Sequence, residues 1–244
     1  MINMKTKNLT QKLNFYELVG IILGDGSIWN YPLHRVYGLE ISGNAEEDKE
    51  YFNKISGFIE KMIGKKPRIS IRDQKLGKYL RLVIYDKKFV DYLINDVGIP
   101  YKNKTFKAFI PPKFLDWKYS KHILRGLFET DGSLYFSKVS GVSSYPRVEI
   151  KTSSKELANQ ISDILKRKAF KPHKRTNKSD KTVGVYISGP VMLEKWIKEI
   201  GFGSTKNLTK YILWRKLGYY IPRISLKERL KLCGGAQAAK GSDL

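Results

Sequence analysis

The chain has 244 residues, with 46 Lys+Arg against 23 Asp+Glu, a formal charge of +23, and 41% apolar residues. That is enough length and apolar content for one large domain or two of about 100 residues each, which argues against a disordered chain. A positive excess of this size exceeds what solubility asks for and points to a polyanion, nucleic acid first.

The amino terminus, MINMKTKNLTQKLNFYE, carries no apolar signal core with a small-residue cleavage site. It predicts an intracellular protein (cytoplasm or nucleoid, or an organelle in a eukaryote), not a secreted one. The longest apolar stretch, around Leu18–Leu23, is too short to span a bilayer, so no membrane is expected as partner. Asn14 with Glu17 makes a capping pair for a first helix, with Gly26 as its stop. Alternating strands follow over about 27–42, then a helix over about 46–63 whose Phe52, Ile55, Phe58, Ile59 and Met62 fall near helical spacing. Strands at about 68–73 and 79–85 lead to a shorter helix ending at Gly98. Ile110-Pro111-Pro112 breaks regular structure and marks a connector. Beyond it the grammar restarts. Ser120 and Gly132 bracket a helix, strands run over about 133–151, and a helix covers about 154–168. Strands at about 173–177 and 182–188 precede a last helix ending at Gly201. The tail GGAQAAKGSDL lacks periodicity and reads as flexible. The expected domains are 1–112, 113–218 and a tail over 219–244. Each half is α+β, strands in one layer and helices in the other.

Several chemistries are excluded. Cys233 is the sole cysteine, so there is no internal disulfide and no cysteine zinc cluster. His34, His122 and His173 stand at no ligand spacing, and no G-x-x-x-x-G-K-[ST] loop occurs.

The restart is a repeat. Residues 18–27 read LVGIILGDGS and residues 124–133 read LRGLFETDGS, with Leu, Gly, Asp, Gly and Ser at identical spacing. Glu40-Ile41 returns as Glu149-Ile150, and Lys66-Pro67 as Lys171-Pro172. Lys102-Asn103-Lys104-Thr105 returns as Lys206-Asn207-Leu208-Thr209. Four pairs in order at a nearly constant offset imply tandem duplication. The repeated helix is apolar almost all round, hence buried on several sides. Gly20 and Gly24 share a face, matched by Gly126 and Thr130, and such small residues let two helices pack closely as a seam. That packing brings Asp25 and Asp131 together at the helix ends. Two acids there repel each other and each helix dipole, a conflict that a divalent cation such as magnesium resolves. On a basic protein, a metal between two acids suits phosphodiester hydrolysis. A lone D-G-S would be only a helix stop; its duplication on an apolar helix favours the site.

The two decapeptides resemble the LAGLIDADG motif of homing endonucleases, in the single-chain, two-motif form. The resemblance runs over about 14–215 through motif spacing, although only the two motifs are specific. It implies two pseudo-symmetric αββαββα halves packed through the motif helices, with antiparallel sheets forming a saddle over double-stranded DNA. It implies cleavage of both strands across the minor groove, with Mg2+ as cofactor and Mn2+ able to substitute. Asp25 and Asp131 become the metal-binding acids, with the carbonyls of Gly24 and Thr130 as further ligands. Family members often carry a lysine late in each half, which maps to Lys102 and Lys206, each after a helix-ending glycine. Such a lysine polarises the attacking water or stabilises phosphorane charge. Glu129 occupies a position that varies in the family, Leu23 filling it in the first copy, and takes no catalytic role. At the end of the second strand the family often has Gln or Lys; Gly43-Asn44 and Thr152-Ser153 depart from that pattern.

Alternation along the strands separates a core face from an outward one. Ile28, Leu134, Leu39, Ile41, Val148 and Ile150 point inward. The outward set is Trp29, Tyr31, Glu40, Arg68, Ser70, Arg72, Tyr79, Arg81, Tyr135, Arg147, Glu149, Lys151, His173 and Arg175. Arginine can bind guanine and acids can accept from cytosine, so this mixed face suits base reading while other lysines hold phosphate. The halves differ at most outward positions, which predicts an asymmetric target bound by a monomer. The leading reading is a magnesium-dependent, site-specific DNA endonuclease of a mobile intron or free-standing gene. An initial Met in place of a Cys or Ser splicing start disfavours an intein. An intron RNA maturase on the same scaffold stays open, as does a non-cleaving DNA-binding regulator, although the latter should have lost an acid.

Overall fold

Asn14 opens the first helix. Its side chain accepts from the Glu17 amide at 3.0 Å and starts α1 (Phe15–Gly24). A computed structural model describes residues 13–74, 77–177, 179 and 181–234 of the chain. The expected segments 1–12 and 235–244, with most of the tail GGAQAAKGSDL, lie outside the described residues. α1 ends with Asp25 as its C-cap, and Gly26, the expected stop, instead begins β1 (Gly26–Tyr31). A side chain at Gly26 would strike the helix behind it, its Cβ 2.5 Å from Ile22 Cα, so glycine permits the immediate reversal from helix to strand.

The first half continues through β2 (Val36–Asn44), α2 (Lys49–Ile63), β3 (Arg68–Gln74), β4 (Gly77–Tyr85) and α3 (Lys87–Asp91). A π-helical stretch, Tyr92–Val97, prolongs α3 and closes on Gly98 in the left-handed region. α4 (Lys104–Lys107) and the Pro-Pro connector lead into α5 (Trp117–Asp131). The helix starts a turn earlier than its repeat suggests: Asp116 is the cap, accepting from Lys118 N at 2.9 Å, and Ser120 is buried inside the helix. Trp117-Lys118-Tyr119 adds a turn before the duplicated segment. The second half repeats the plan with β5 (Gly132–Val139), β6 (Val142–Thr152), α6 (Lys155–Arg167), β7 (His173–Thr176), β8 (Val183–Ser188) and α7 (Pro190–Glu199). α8 (Thr205–Leu217) and α9 (Leu226–Leu232) follow. The fold is α+β, two αββαββα halves in one chain.

Both sheets are antiparallel and have the same order, β1-β2-β4-β3 and β5-β6-β8-β7. Register places Ile28, Leu39 and Ile84 on one rung and Leu134, Val148 and Ile187 on its counterpart, all buried. One continuous apolar core runs from these sheet faces through the helices of both halves. Its centre is the α1–α5 seam. A Cβ on Gly20 would lie 2.1 Å from Ile123 O, one on Gly126 2.1 Å from Glu17 O, and one on Gly24 2.1 Å from Thr130 Oγ1. Only small residues allow that approach.

A buried network of charged and polar side chains crosses this seam. Arg125 donates to Glu17 through Nε and Nη2 at 2.8 and 2.5 Å, and to Ile200 O at 3.1 Å. Tyr51 donates its hydroxyl to Glu17 at 2.7 Å. α9 ties the halves further. It opens with a capping box of Ser225 and Glu228, and its buried Arg229 donates to Thr209 Oγ1 at 3.0 Å and to Glu47 of the first half at 2.7 Å. Among the described residues no helix is long and apolar enough to cross a membrane.

Candidate functional site

The seam ends in a cleft of about 570 Å³ lined by Gly24, Asp25, Tyr101, Lys104, Asp131 and Lys151, among others. Asp25 caps α1 and Asp131 is the last residue of α5, so helix packing sets their separation. Both carboxyls reach the mouth of the cleft while protein crowds them from behind. Burial raises Asp25 above the usual carboxylate range, against the charges of Lys104 and Lys206. Burial and the neighbouring Asp25 charge push Asp131 up to about 7, with Lys104 opposing.

A lysine stands at the carboxyl end of each motif helix. In the first half it is Lys104, whose amine donates to the carbonyls of Ile22 at 2.9 Å, Leu23 at 3.0 Å and, closer still, Gly24. Burial lowers Lys104 to about 8, although Asp131 and Asp25 both favour its charge. Lys102 is exposed, its amine 5.6 Å over the Tyr101 ring, and it does not line the cleft. The K-N-x-T repeat misleads here because α4 starts at Lys104, whereas α8 starts at Thr205 and puts Lys206 at its second position. Lys206 donates to Asp48 at 2.9 Å and to Glu129 O at 3.4 Å. Burial alone would lower Lys206, but Asp48, with Glu129 and Glu47, outweighs it and holds the amine above its ordinary value. Glu129 itself is buried, accepting from Gly203 N at 2.8 Å and from the Ser204 hydroxyl, a structural anchor beneath the cleft.

Two acids that both feel the charge of Lys104 make an oxygen-rich cluster that a hard divalent cation fits. Among the described residues no group of three or more His, Cys, Asp or Glu side chains gathers that could hold a metal ion. Of the ligands expected from sequence, the Gly24 carbonyl accepts from the Lys104 amine. The Thr130 hydroxyl turns back to the carbonyls of Gly126 and Leu127, both at 3.1 Å.

Register also settles which side chains share the outward sheet faces. Trp29, Tyr31, Glu40, Arg68, Ser70, Arg72, Tyr79 and Arg81 lie on one face of the first sheet. Tyr135, Arg147, Glu149, Lys151, His173 and Arg175 lie on the matching face of the second. The two acids are not loose on these faces. Glu40 holds Arg81 by two hydrogen bonds of 2.5 and 2.7 Å, and Glu149 is only 3% exposed. Arg81 also lies 5.4 Å over Trp29, Arg147 lies 5.4 Å over Tyr186, and His173 stacks on Tyr186 at 5.4 Å. The faces are thus pre-organised, basic and aromatic.

Residues 15–98 match the model of the WhiA LAGLIDADG-like domain, and residues 119–211 match that of the LAGLIDADG-like domain. The chain therefore belongs to the LAGLIDADG family, in its single-chain, two-domain form. Among solved structures it is similar to the homing endonuclease I-DmoI in complex with DNA and Mn, at 18% identity and TM-score 0.52, covering 76% of this chain and 94% of that one. It is similar to the homing endonuclease I-WcaI bound to its DNA recognition sequence, at 19% identity and TM-score 0.52, covering 94% of each chain. The N-terminal LAGLIDADG domain of DUF199/WhiA matches at 18% identity and TM-score 0.50, covering 80% of this chain and 88% of that one. At these identities the likeness establishes the fold. No curated protein matches the chain.

Proposed function

We propose that this protein is a site-specific endonuclease that binds double-stranded DNA on the outward faces of its two sheets and cuts both strands at the Asp25–Asp131 cleft. The observation that carries the reading is the convergence of two intact motif acids, one from each half, at the end of a glycine-lined seam. Asp25 and Asp131 would hold magnesium, with manganese able to replace it; structures of I-DmoI with its DNA were solved with Mn, Mg and Ca. When bound, the metal lowers the pKa of a water and offsets charge on the phosphate. The protein's own contribution is positional. The seam sets the separation of the acids, while Lys104 and Lys206 hold the helix carboxyl ends and place positive charge beside the phosphate. The basic sheets supply salt-sensitive affinity and a read-out that differs between halves.

One observation favours a second reading, DNA binding without cutting. The Lys104 amine engages the Gly24 carbonyl, the oxygen expected to help hold the metal. Retention of a randomised duplex library, followed by magnesium or EDTA and sequencing of the ends, decides between the two. Magnesium-dependent double-strand ends sharing one long motif support the endonuclease. Retention with no new ends supports the binder, and preferential retention of a structured RNA pool run in parallel overturns both.

A further inference from the structure

The two sheets share one plan yet place an arginine differently on one matching rung of their outward faces. In the first half that rung is Ser42–Arg81–Ser70, across β2, β4 and β3. In the second it is Lys151–Gly184–Arg175, across β6, β8 and β7. Each rung lies beside an acid on the second strand, Glu40 or Glu149. The arginine that meets the acid has moved from an inner strand to the sheet edge.

This transposition changes the surface. Arg81 fills the middle of its rung, covers Glu40 and donates to both of its oxygens. No side chain rises from Gly184, and a Cβ there would come 2.2 Å from Glu149 Oε1. The result is a notch of about 340 Å³ with Glu149 on its floor and Lys151, Arg175 and Asn177 on its rim. Arg175 is 60% exposed and reaches Glu149 by a single contact of 3.4 Å. A carboxylate accepts up to about four hydrogen bonds, so this one retains capacity towards the notch. An acid on a surface that meets phosphates is repelled by them, unless a donor and flanking cations compensate.

We propose that the Gly184 notch is a base-reading subsite of the second half: it takes the amino edge of a cytosine or adenine, whose hydrogen Glu149 accepts between the rim cations Lys151 and Arg175. The inference rests on the DNA-binding reading above. At the matching place in the first half, Arg81 is oriented by Glu40 and stacked near Trp29, and its guanidinium suits the N7 and O6 acceptors of guanine. The two half-sites therefore differ in hydrogen-bonding sense at corresponding positions.

The test is selection of a randomised duplex library, in EDTA so that nothing is cut, by the full-length protein and three variants. Glu149→Met is close in size but has no oxygen to accept, and should lose about ten- to a hundredfold of the preference for an amino-bearing base at one position of the second half-site. Gly184→Arg with Arg175→Ser rebuilds the first-half arrangement and should move that position to guanine, leaving the first half-site unchanged. Arg175→Ser alone, at the exposed edge, keeps the fold and should weaken affinity while keeping the amino-base preference. An unaltered preference in both Glu149→Met and the double variant overturns the notch and leaves DNA binding standing. Failure of the unmodified protein to enrich any duplex overturns both.

Discussion

Replacing Gly126 by alanine tests the seam on which the site depends. The new methyl would lie 2.1 Å from Glu17 O and 2.8 Å from Ile21 N. Ordinary contact needs roughly 3.5 Å, so the first approach is about 1.4 Å too close. Both atoms belong to the α1 backbone, and no side-chain rotation relieves them. The helices must part, at a cost of about 3 kcal/mol, of which alanine's helix preference over glycine returns about 1 kcal/mol. A net loss of roughly 2 kcal/mol should appear in urea unfolding as a lower midpoint at unchanged slope. Because Asp25 and Asp131 end these same helices, a displacement near 1 Å should also slow cutting by up to about a hundredfold. Gly57→Ala in α2 is the matched control: no atom lies within 4 Å of the added methyl. That variant should gain up to about 1 kcal/mol. If Gly126→Ala proves as stable and active as Gly57→Ala, close packing at the seam does not set the site.

The lysine assignment separates cleanly. Lys104→Met should slow cutting about a hundred- to a thousandfold with little change in DNA affinity, whereas Lys102→Met should leave the cutting rate unchanged in the same single-turnover assay. Asp131 carries a pH signature in metal-free protein. Its folded-state value of about 7 lies above the unfolded value of about 3.9, so its contribution is full below pH 4 and is lost as pH rises through 7. Asp131→Asn escapes that loss and should be more stable than the unmodified protein at pH 8, by about 1–2 kcal/mol once solvent screening at the cleft mouth is allowed for. Melting in EDTA at pH 5 and pH 8 reads it, and an equal difference at both values refutes it. Arg229→Ala removes the bridge from α9 to Glu47 and strands a partly exposed carboxylate. Urea unfolding should show a loss of about 2 kcal/mol.

Much of this was legible because a duplication writes each signal twice. The apolar helix ending in D-G-S, the order of strands and helices, and the outward parity of Arg68 to Arg72 or Arg147 to Lys151 all follow from local period and repetition. What stayed hidden depends on partners far along the chain. Glu17 meets Arg125 and Tyr51 only after folding, and nothing in FYELVGIILG announces a buried ion pair. Parity assigned Glu149 to the outward face but could not give its depth, which Gly184 on another strand creates. Repeat alignment follows letters and points to Lys102, whereas the amine that reaches the α1 carbonyls is that of Lys104, because its position follows where α4 begins.

In the proposed function the two motif acids, one from each half, together cut both DNA strands. The direct measurement is single-turnover cutting of the selected duplex in magnesium and in EDTA by the unmodified protein, Asp25→Asn and Asp131→Asn, with affinity measured alongside. The unmodified protein should make metal-dependent double-strand breaks, and both variants should bind the duplex at least as tightly yet no longer break it. Undiminished double-strand cutting by either variant, or firm binding by the unmodified protein with no cutting in magnesium, would contradict it.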